Sequence, residues 1–484
     1  MYLSLIDNES ALALAADYYE ITMSGGYFNN NMSDTIAYFD MFFRRVPDGG
    51  GFAVMAGLEQ LIEFIEDLKF TDEDIEFLRS KGIYSEGFLS YLKNFKFECD
   101  IFAVEEGTPI FPKEPVIIVR GPIIQAQLIE TALLMIINHQ SLIATKANRI
   151  VRAAQGRTVM EFGARRAHGL SAALYGARAA YIGGCIGSSL TLAEKLYGIP
   201  AVGTMAHSWV QMFDSELDAF RAYARTYPEN CSLLVDTYNV LKSGVPNAIK
   251  VFNEEIIPRG FRPQSIRIDS GDITYLSKRA RKMLDEAGFP DCGIIATNSL
   301  DENIIREVII QGGKIDSFGV GERLITASSD PVFGGVYKLA GIEKDGKIIP
   351  KIKISENITK LTIPGFKQVH RLFDKTSGKA IADVVTLHGE NIDENAPYEI
   401  FDPEYTWKRK TITDFIARPL HKQIYKNGKL VYKCPSVQSI KAYCERQVST
   451  LWDEVLRLEN PHNYYVDLSQ DLWQLRKDLL DSNS

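Results

Sequence analysis

T-V-M-E-F-G-A-R-R-A-H-G, from Thr158 to Gly169, is the stretch on which the reading of this chain turns. Its apolar run, Val159 to Phe162, has the length of a buried strand, and it ends in a glycine, a small residue and two adjacent arginines before a helical pattern begins. That layout puts two cations at the mouth of a strand. An arginine fork suits phosphate or carboxylate oxygens, and a preceding Gly lets a ligand come close to the backbone. Two readings stand level at this point: an anion site, or a sheet edge at which Arg165 and Arg166 make surface salt bridges.

Working outward, short apolar runs recur at 158–162, 179–183, 201–206, 231–236, 265–269, 293–297, 317–320 and 335–340, mostly separated by helix-like segments. Strand–helix alternation of this kind predicts a parallel sheet, and the number of repeats predicts a (β/α) barrel, irregular or incomplete. The runs end in Phe162-Gly163-Ala164-Arg165, Gly183-Gly184, Ala206-His207-Ser208, Asp236-Thr237, Asp269-Ser270-Gly271-Asp272, Thr297-Asn298-Ser299 and Gly319-Val320-Gly321. Any one of these is an ordinary βα turn or helix cap. In succession, with Arg, His and Asp among them, they favour a shared site at the carboxyl ends of the strands. Asp236, Asp269 and Asp272 offer hard oxygens suited to Mg²⁺ held together with substrate phosphates, or to sugar hydroxyls. Gly319 and Gly321 offer backbone N–H groups to a phosphate, or form a tight turn.

Composition sets limits on partners. In 484 residues, Lys+Arg of 54 against Asp+Glu of 62 leaves a net charge of −8, so the basic footprint of a nucleic-acid binder is missing. The six cysteines lack paired metal-ligand spacing and read as reduced thiols, with no structural zinc expected. No basic n-region opens the chain, and apolar runs such as Ala132 to Ile137 are too short to span a bilayer, so a cytoplasmic protein without membrane partners is expected. No GxxxxGK[ST], HExxH or GxSxG occurs.

The remaining patterns fill in the domains. Leu12 to Met23 and Phe52 to Leu68 read as helices, Thr35 to Phe43 as a strand, and Cys99–Val104, Thr108–Ile110 and Val116–Arg120 as short strands before helical Gln125 to Gln155. Lys351 to Leu387 is strand-like, Gln423 to Tyr432 a hairpin turning at Asn427-Gly428, and Ser436 to Arg457 an amphipathic helix. This predicts an α+β domain over 1–145, an α/β barrel over 146–345 and a C-terminal segment over 346–484 that packs on the first domain.

Several long motifs carry a family resemblance. E-F-G-A-R-R-A-H-G, G-T-M-A-H-S-W-V (203–210), L-V-D-T-Y-N-V (234–240), R-I-D-S-G-D (267–272), T-N-S-L-D-E (297–302) and G-G-V-Y-K-L (334–339) resemble signatures of the nicotinate phosphoribosyltransferases. D-Y-Y-E-I-T-M (17–23), F-F-R-R-V-P (42–47) and N-P-H-N-Y-Y-V-D-L-S (460–469) extend the match over most of the chain. The resemblance implies a type II phosphoribosyltransferase: an irregular α/β barrel beside an α+β domain to which both chain ends contribute. It implies a homodimer, and the joining of nicotinate to phosphoribosyl pyrophosphate with ATP as co-substrate and Mg²⁺ as cofactor, for NAD biosynthesis.

Carried over residue by residue, the resemblance implies that Phe162 and the partner subunit's Tyr19 sandwich the pyridine ring, and that Arg165 and Arg267 face the substrate anions. Asp269 falls near ribose and metal, with Asp236 and Asn298 also at the substrate. Gly319 and Gly321 match a phosphate-cradling turn, and His207 the histidine that takes a phosphoryl group from ATP. Two positions depart from the family pattern: Ala16 stands where Thr is expected, and Glu322 where Thr is common. In a nicotinamide-specific relative an aspartate sits in the ring pocket; here G-C-I-G-S-S-L presents Ser188 and Ser189, which spare a carboxylate ligand that repulsion. A barrel-fold binding protein without turnover is the reading from another class.

Overall fold

A computed structural model describes residues 13–355 and 361–483. The chain divides into two compact units, Met1–Leu142 with Val332–Ser484, and Ile143–Pro331.

The first unit is built on an antiparallel sheet in the order Lys347–Pro350, Val336–Lys344, Ile36–Phe42, Ile117–Pro122, Asp100–Val104, His421–Lys426, Lys429–Leu430. Ile36–Phe42 is rich in aromatic and apolar residues and is buried from Ala37 onward, as suits a strand paired on both edges. Asp40 within it meets Lys367 Nζ at 2.8 Å, so neither charge is buried alone. A second sheet runs Phe415–Pro419, Lys367–Asp374, Ala380–Leu387, Tyr465–Leu468. Across its central pair Arg371 and Asp383 stand in register and join in a two-pronged bond of 2.8 and 2.6 Å, both fully buried. The expected hairpin is present: Lys426 faces Lys429 across Asn427-Gly428, both with positive φ, the geometry of a tight two-residue turn.

Several sequence expectations shift here. Helix Tyr18–Asn29 starts later than Leu12, which lies outside the described residues. Phe52 to Leu68 splits into strand Ala53–Val54, paired with Pro109–Ile110, and helix Leu58–Glu66, because Gly57 at φ 105° breaks the run. The expected helix Ser436 to Arg457 is Val437–Ser449; Lys379 Nζ takes the carbonyls of Ser449 and Leu451, and the Ala380 N–H takes that of Thr450. Of 351–387, residues 356–360 lie outside the described residues and the strands are Lys367–Asp374 and Ala380–Leu387. The run 335–340, expected in the barrel, is strand Val336–Lys344 of the first unit, antiparallel to Ile36–Phe42; residues 332–345 therefore do not belong with the parallel strands.

The second unit carries a parallel sheet in the order Thr158–Glu161, Ser317–Val320, Gly293–Ala296, Ser265–Ile268, Ser232–Leu234. Single bridges from Glu161 to Ser188 and from Ser188 to Ala201 extend it at one edge. Two runs expected as strands are not. Residues 179–183 close the helix Leu170–Ile182, whose L-S-A-A-L-Y-G-A-R-A-A-Y-I is rich in the best helix former. Residues 201–206 are extended and pair only through the bridge at Ala201.

The stretch Ile123–Ala153 is long and apolar enough by composition to cross a membrane, but 67% of its most apolar window is buried inside the protein. Lys146 and Arg149 on its helix Glu130–Ala153 hold Glu302 at 2.8 and 3.1 Å, with all three side chains buried. A core helix meets the same length and composition test.

Candidate active site

Parallel register decides what meets at the carboxyl ends of these strands. Ile268 stands opposite Ala296, Ala296 opposite Phe318, Gly319 opposite Met160, and Leu234 opposite Arg267. Asp236, Asp269 and Thr297 therefore emerge side by side, level with Gly319, and Phe162 lies two residues beyond Met160 on the neighbouring strand. Backbone bonds past the strand ends keep them level: Thr297 N–H donates to Ile268 O at 3.0 Å, Val235 N–H to Arg267 O at 3.1 Å and Phe162 N–H to Val320 O at 2.7 Å.

The Phe162 ring lies over Gly319. A β-carbon built on Gly319 would fall 2.6 Å from two ring carbons and 2.7 Å from the Thr297 methyl carbon, so the missing side chain is the room the ring occupies. Gly319 is buried within its strand, with the Phe162 ring packed where a side chain would stand. Gly321 follows as the cap of the short helix Glu322–Ile325. The Arg267 guanidinium carbon is 6.0 Å from the centroid of the Phe162 ring, at the outer limit of a cation–π contact.

Arg267 is held on three sides. Its Nε donates to Thr297 Oγ1 at 3.0 Å, Nη1 donates to Thr204 Oγ1 at 3.0 Å, and Nη2 is 3.2 Å from Asp269 Oδ1. Thr297 Oγ1 in turn donates to Asp269 Oδ1. The other oxygen, Asp269 Oδ2, faces His207 Nε2 at 3.6 Å. Asp236 Oδ2 accepts from the Asp269 N–H at 3.0 Å and from Ser270 Oγ at 2.6 Å. Asp236 Oδ1 is buried without a hydrogen bond, 4.0 Å from His207 Nε2, and the Nδ1 side of that ring lies 3.1 Å from Thr237 Oγ1. The arrangement is a half-exposed imidazole between a hydroxyl and two carboxylates, sharing Asp269 with an arginine beside an aromatic face.

The structure places the other candidates as follows. Arg165 and Arg166 are exposed on the single turn Ala164–Arg166. Glu322 lies 3.8 Å from Arg166 Nε with both side chains exposed, a contact of little stability that nonetheless gives this carboxylate a partner. Asp272 is the cap of the following helix, accepting from Tyr275 N–H at 2.9 Å through one of its oxygens. Asn298 is exposed at φ 89° on the same loop as Thr297. Tyr19, in the first unit, is 43% exposed; burial of its hydroxyl and the nearby Glu130 raise its pKa.

The two serines separate. Ser188 is buried and fully engaged, donating to Glu161 Oε2 at 2.6 Å and accepting from Leu190 N–H at 3.1 Å, while Ser189 is exposed. Ser188 is therefore tied to the buried Glu161 carboxyl, and of the pair Ser189 is the one with an exposed side chain. Glu161 was hidden inside an apolar run; burial raises its carboxyl pKa, against hydrogen bonds from Ser188 and the Gly163 N–H. Thr237 and Thr297 were named in the sequence among the strand-end residues without a role of their own, and Thr204 was not singled out, since a Thr near a strand end reads as a turn or cap. Among the described residues no three His, Cys, Asp or Glu side chains gather to hold a metal by themselves.

Comparison with known proteins decides the family. Residues 158–397 match the model described as the nicotinate phosphoribosyltransferase (NAPRTase) family, with its N-terminal domain model matching 14–138 and its C-terminal domain model 366–476. Nicotinate phosphoribosyltransferase of Bacillus subtilis (strain 168) is 44% identical over 468 residues, 96% of this chain and 94% of that protein. The chain belongs to the nicotinate phosphoribosyltransferase family. The Homo sapiens nicotinate phosphoribosyltransferase is 30% identical over 96% of both chains. The crystal structure of human nicotinic acid phosphoribosyltransferase superposes with a TM-score of 0.83 at 28% identity, covering 96% of this chain and 99% of that one. A nicotinate-nucleotide pyrophosphorylase structure from Pyrococcus furiosus, with a TM-score of 0.70 at 24% identity over 91% of this chain and 96% of that one, shares the fold. The parallel strands with their Arg267, Asp269 and His207 thus lie within the matched family region.

Proposed function

We propose that this protein joins nicotinate to 5-phosphoribosyl 1-pyrophosphate, giving nicotinate mononucleotide and pyrophosphate for NAD synthesis. The observation that carries the reading is the Phe162 ring seated over Gly319 beside a triply anchored Arg267. An aromatic face takes a pyridine ring and a guanidinium takes its carboxylate. The pyridine nitrogen brings its own lone pair to ribose C1 to form the new bond as the bond from C1 to the pyrophosphate oxygen breaks, and the leaving group departs with the electrons of the broken bond. No general base is called for. The protein's task is to align the ring, and to stabilise the departing charge with Arg165 and neighbouring N–H donors. In this reading the parallel sheet is the wall of an incomplete barrel, and the site sits at its carboxyl mouth.

ATP coupling runs through His207. Its ring would attack the γ-phosphorus, with ADP leaving, and water would later release phosphate; Thr237 on one side and the Asp236 and Asp269 carboxylates on the other orient the ring. Mg²⁺ fits as an ion held mainly by substrate phosphates, since it needs only one or two protein carboxylates, and Asp236 Oδ1, which has no hydrogen bond, and Asp269 Oδ2, which faces His207, would supply them. When bound it would neutralise phosphate charge. The partner subunit's Tyr19 is proposed as the second face of the ring sandwich in a homodimer; its exposure is what supports this.

The test is pyrophosphate release with nicotinate, nicotinamide and quinolinate in parallel. Nicotinate should be preferred by at least about 100-fold, since an arginine left facing an uncharged amide loses a charge-assisted bond. Equal kcat/KM for the two pyridines, or turnover of quinolinate alone, overturns the reading. Labelling from [γ-³²P]ATP that is acid-labile, base-stable and abolished in His207→Asn supports the coupling step, and label that persists in that variant removes His207 from it.

A further inference from the structure

Arg267 has more holding it in place than a single salt bridge to Asp269. A guanidinium has five N–H donors, and here Nε donates to Thr297 and Nη1 to Thr204, while Nη2 stands 3.2 Å from Asp269 Oδ1. Donors remain on the Nη atoms, and paired guanidinium N–H groups match a carboxylate.

The plane of that fork depends on the Nε bond. Contacts at the Nη atoms let the group pivot, whereas a bond at Nε, nearer the side-chain stem, fixes which way the fork faces. Thr297 supplies the acceptor. The direction of its hydroxyl is unambiguous, because arginine has no acceptor and an ionised carboxylate has no donor: the lone pair faces Arg267 Nε and the proton goes to Asp269 Oδ1. One hydroxyl thus orders both charged groups. Its rotamer is itself pinned, since the methyl on the same carbon occupies the space over Gly319 that adjoins the Phe162 ring, and a β-branched side chain has little freedom to turn. Thr297 is buried at 3% exposure, so water does not substitute for it.

We infer that Thr297 is a positioning residue which sets the plane of the Arg267 fork against the Phe162 face, and so fixes the discrimination between a ring carboxylate and a ring amide. The inference deepens the proposed reaction and rests on it. Thr297→Val keeps the branched shape and removes only the hydroxyl. It is expected to raise KM for nicotinate about 10- to 100-fold, the loss of a buried hydrogen bond to a charged group. KM for phosphoribosyl pyrophosphate and the melting temperature should move little, and the preference for nicotinate over nicotinamide should fall by a similar factor. Thr297→Ser, which returns the hydroxyl, should recover most of the lost affinity.

Native KM and native preference in Thr297→Val overturn the inference, as does equal impairment of the Val and Ser variants, since returning the hydroxyl would then have restored nothing. A crystal structure of Thr297→Val decides the same point without turnover: the Arg267 plane should be lost, and a guanidinium still in place refutes the role. Failure of the unaltered protein to use nicotinate would instead refute the proposed function, while the crystal structure would still answer for Thr297.

Discussion

Gly319→Ala tests what the glycine before Val320 is for. Its backbone is not in the left-handed region, so conformational freedom is not the reason for a glycine there. The added methyl would meet two Phe162 ring carbons at 2.6 Å and the Thr297 methyl at 2.7 Å. Comfortable carbon contacts are about 3.5–4.0 Å, so the ring must retreat by roughly 1 Å. Overpacking of this kind costs about 1–3 kcal/mol, and an aromatic stacking partner out of place forfeits about 0.5–1.5 kcal/mol of ligand contact. At about 1.4 kcal/mol per tenfold, the forfeited contact should lower kcat/KM for nicotinate roughly 2- to 12-fold, while the overpacking shows in the melting curve. Pyrophosphate release should be followed with nicotinate varied at saturating phosphoribosyl pyrophosphate and then with the roles exchanged, beside a melting curve. The loss should fall on nicotinate. If nicotinate kinetics are native and only KM for phosphoribosyl pyrophosphate rises, the glycine serves the phosphate and the argument from the Phe162 ring is wrong.

Ser189→Asp should shift base preference from nicotinate towards nicotinamide with a near-native melting temperature, whereas Ser188→Asp, which sets a second carboxyl against buried Glu161, should lower stability by about 3 kcal/mol or more; kcat/KM for both bases and thermal melts separate the two. His421 has Nε2 on Pro115 O at 2.8 Å and a buried Nδ1 without a partner; burial, with His370, His388 and Lys367 nearby, holds its pKa down at about 4. Its unfolded-state value is about 6.5, so the stability it contributes is present above that pH and is lost as pH falls towards 4; His421→Gln should flatten the fall in melting temperature over that window. Glu114 and Asp383 are fully buried near a single arginine, Arg371, and burial followed by Asp383 drives the Glu114 carboxyl well up. Glu114→Gln should therefore cost little in urea denaturation, while Arg371→Met should cost about 3–5 kcal/mol by stranding a charge.

The fold was legible where a strand is a short apolar run closed by turn residues. Thr158–Glu161, Ser232–Leu234, Ser265–Ile268, Gly293–Ala296 and Ser317–Val320 all carry that mark. It failed at 179–183, because a helix buried on most sides has no polar stripe to betray its period, and the small residues of L-S-A-A-L-Y-G-A-R-A-A-Y-I suit close packing all round. It failed again at Val336–Lys344, whose strand character was plain but whose partner, Ile36–Phe42, is set by long-range pairing that no local pattern encodes. In the site, Asp269, Asp236 and His207 stood out as charged or polar residues closing an apolar run, whereas Arg267, inside its strand, was named only through the family resemblance. Glu161 was missed and Thr297 left without a role for the opposite reason: one continues a strand, the other looks like a cap. Ser188 and Ser189 are alike in sequence and differ only in which of them turns towards the buried carboxyl.

Asp269 belongs to both halves of this constellation, and that has a consequence for coupling. Oδ1 accepts from Thr297 and faces Arg267, on the side of the Phe162 ring, while Oδ2 faces His207 Nε2. Under the proposed mechanism a phosphoryl group on His207 brings about two negative charges to the edge of a site whose nearest groups, Asp236 and Asp269, are already acidic. Two remedies reduce the repulsion: a cation drawn in between the carboxylates and the phosphate, or a turn of the Asp269 carboxylate away from the histidine. The second would disturb Thr297 and Arg267 at once, since all three share Oδ1. The phosphorylated and unphosphorylated states would then differ in how well the Arg267 fork is oriented, and a free-energy difference of about 1–3 kcal/mol is enough to change affinity by one to two orders of magnitude. A single carboxylate with one oxygen on each side is a short physical route by which hydrolysis at the histidine can alter binding at the ring.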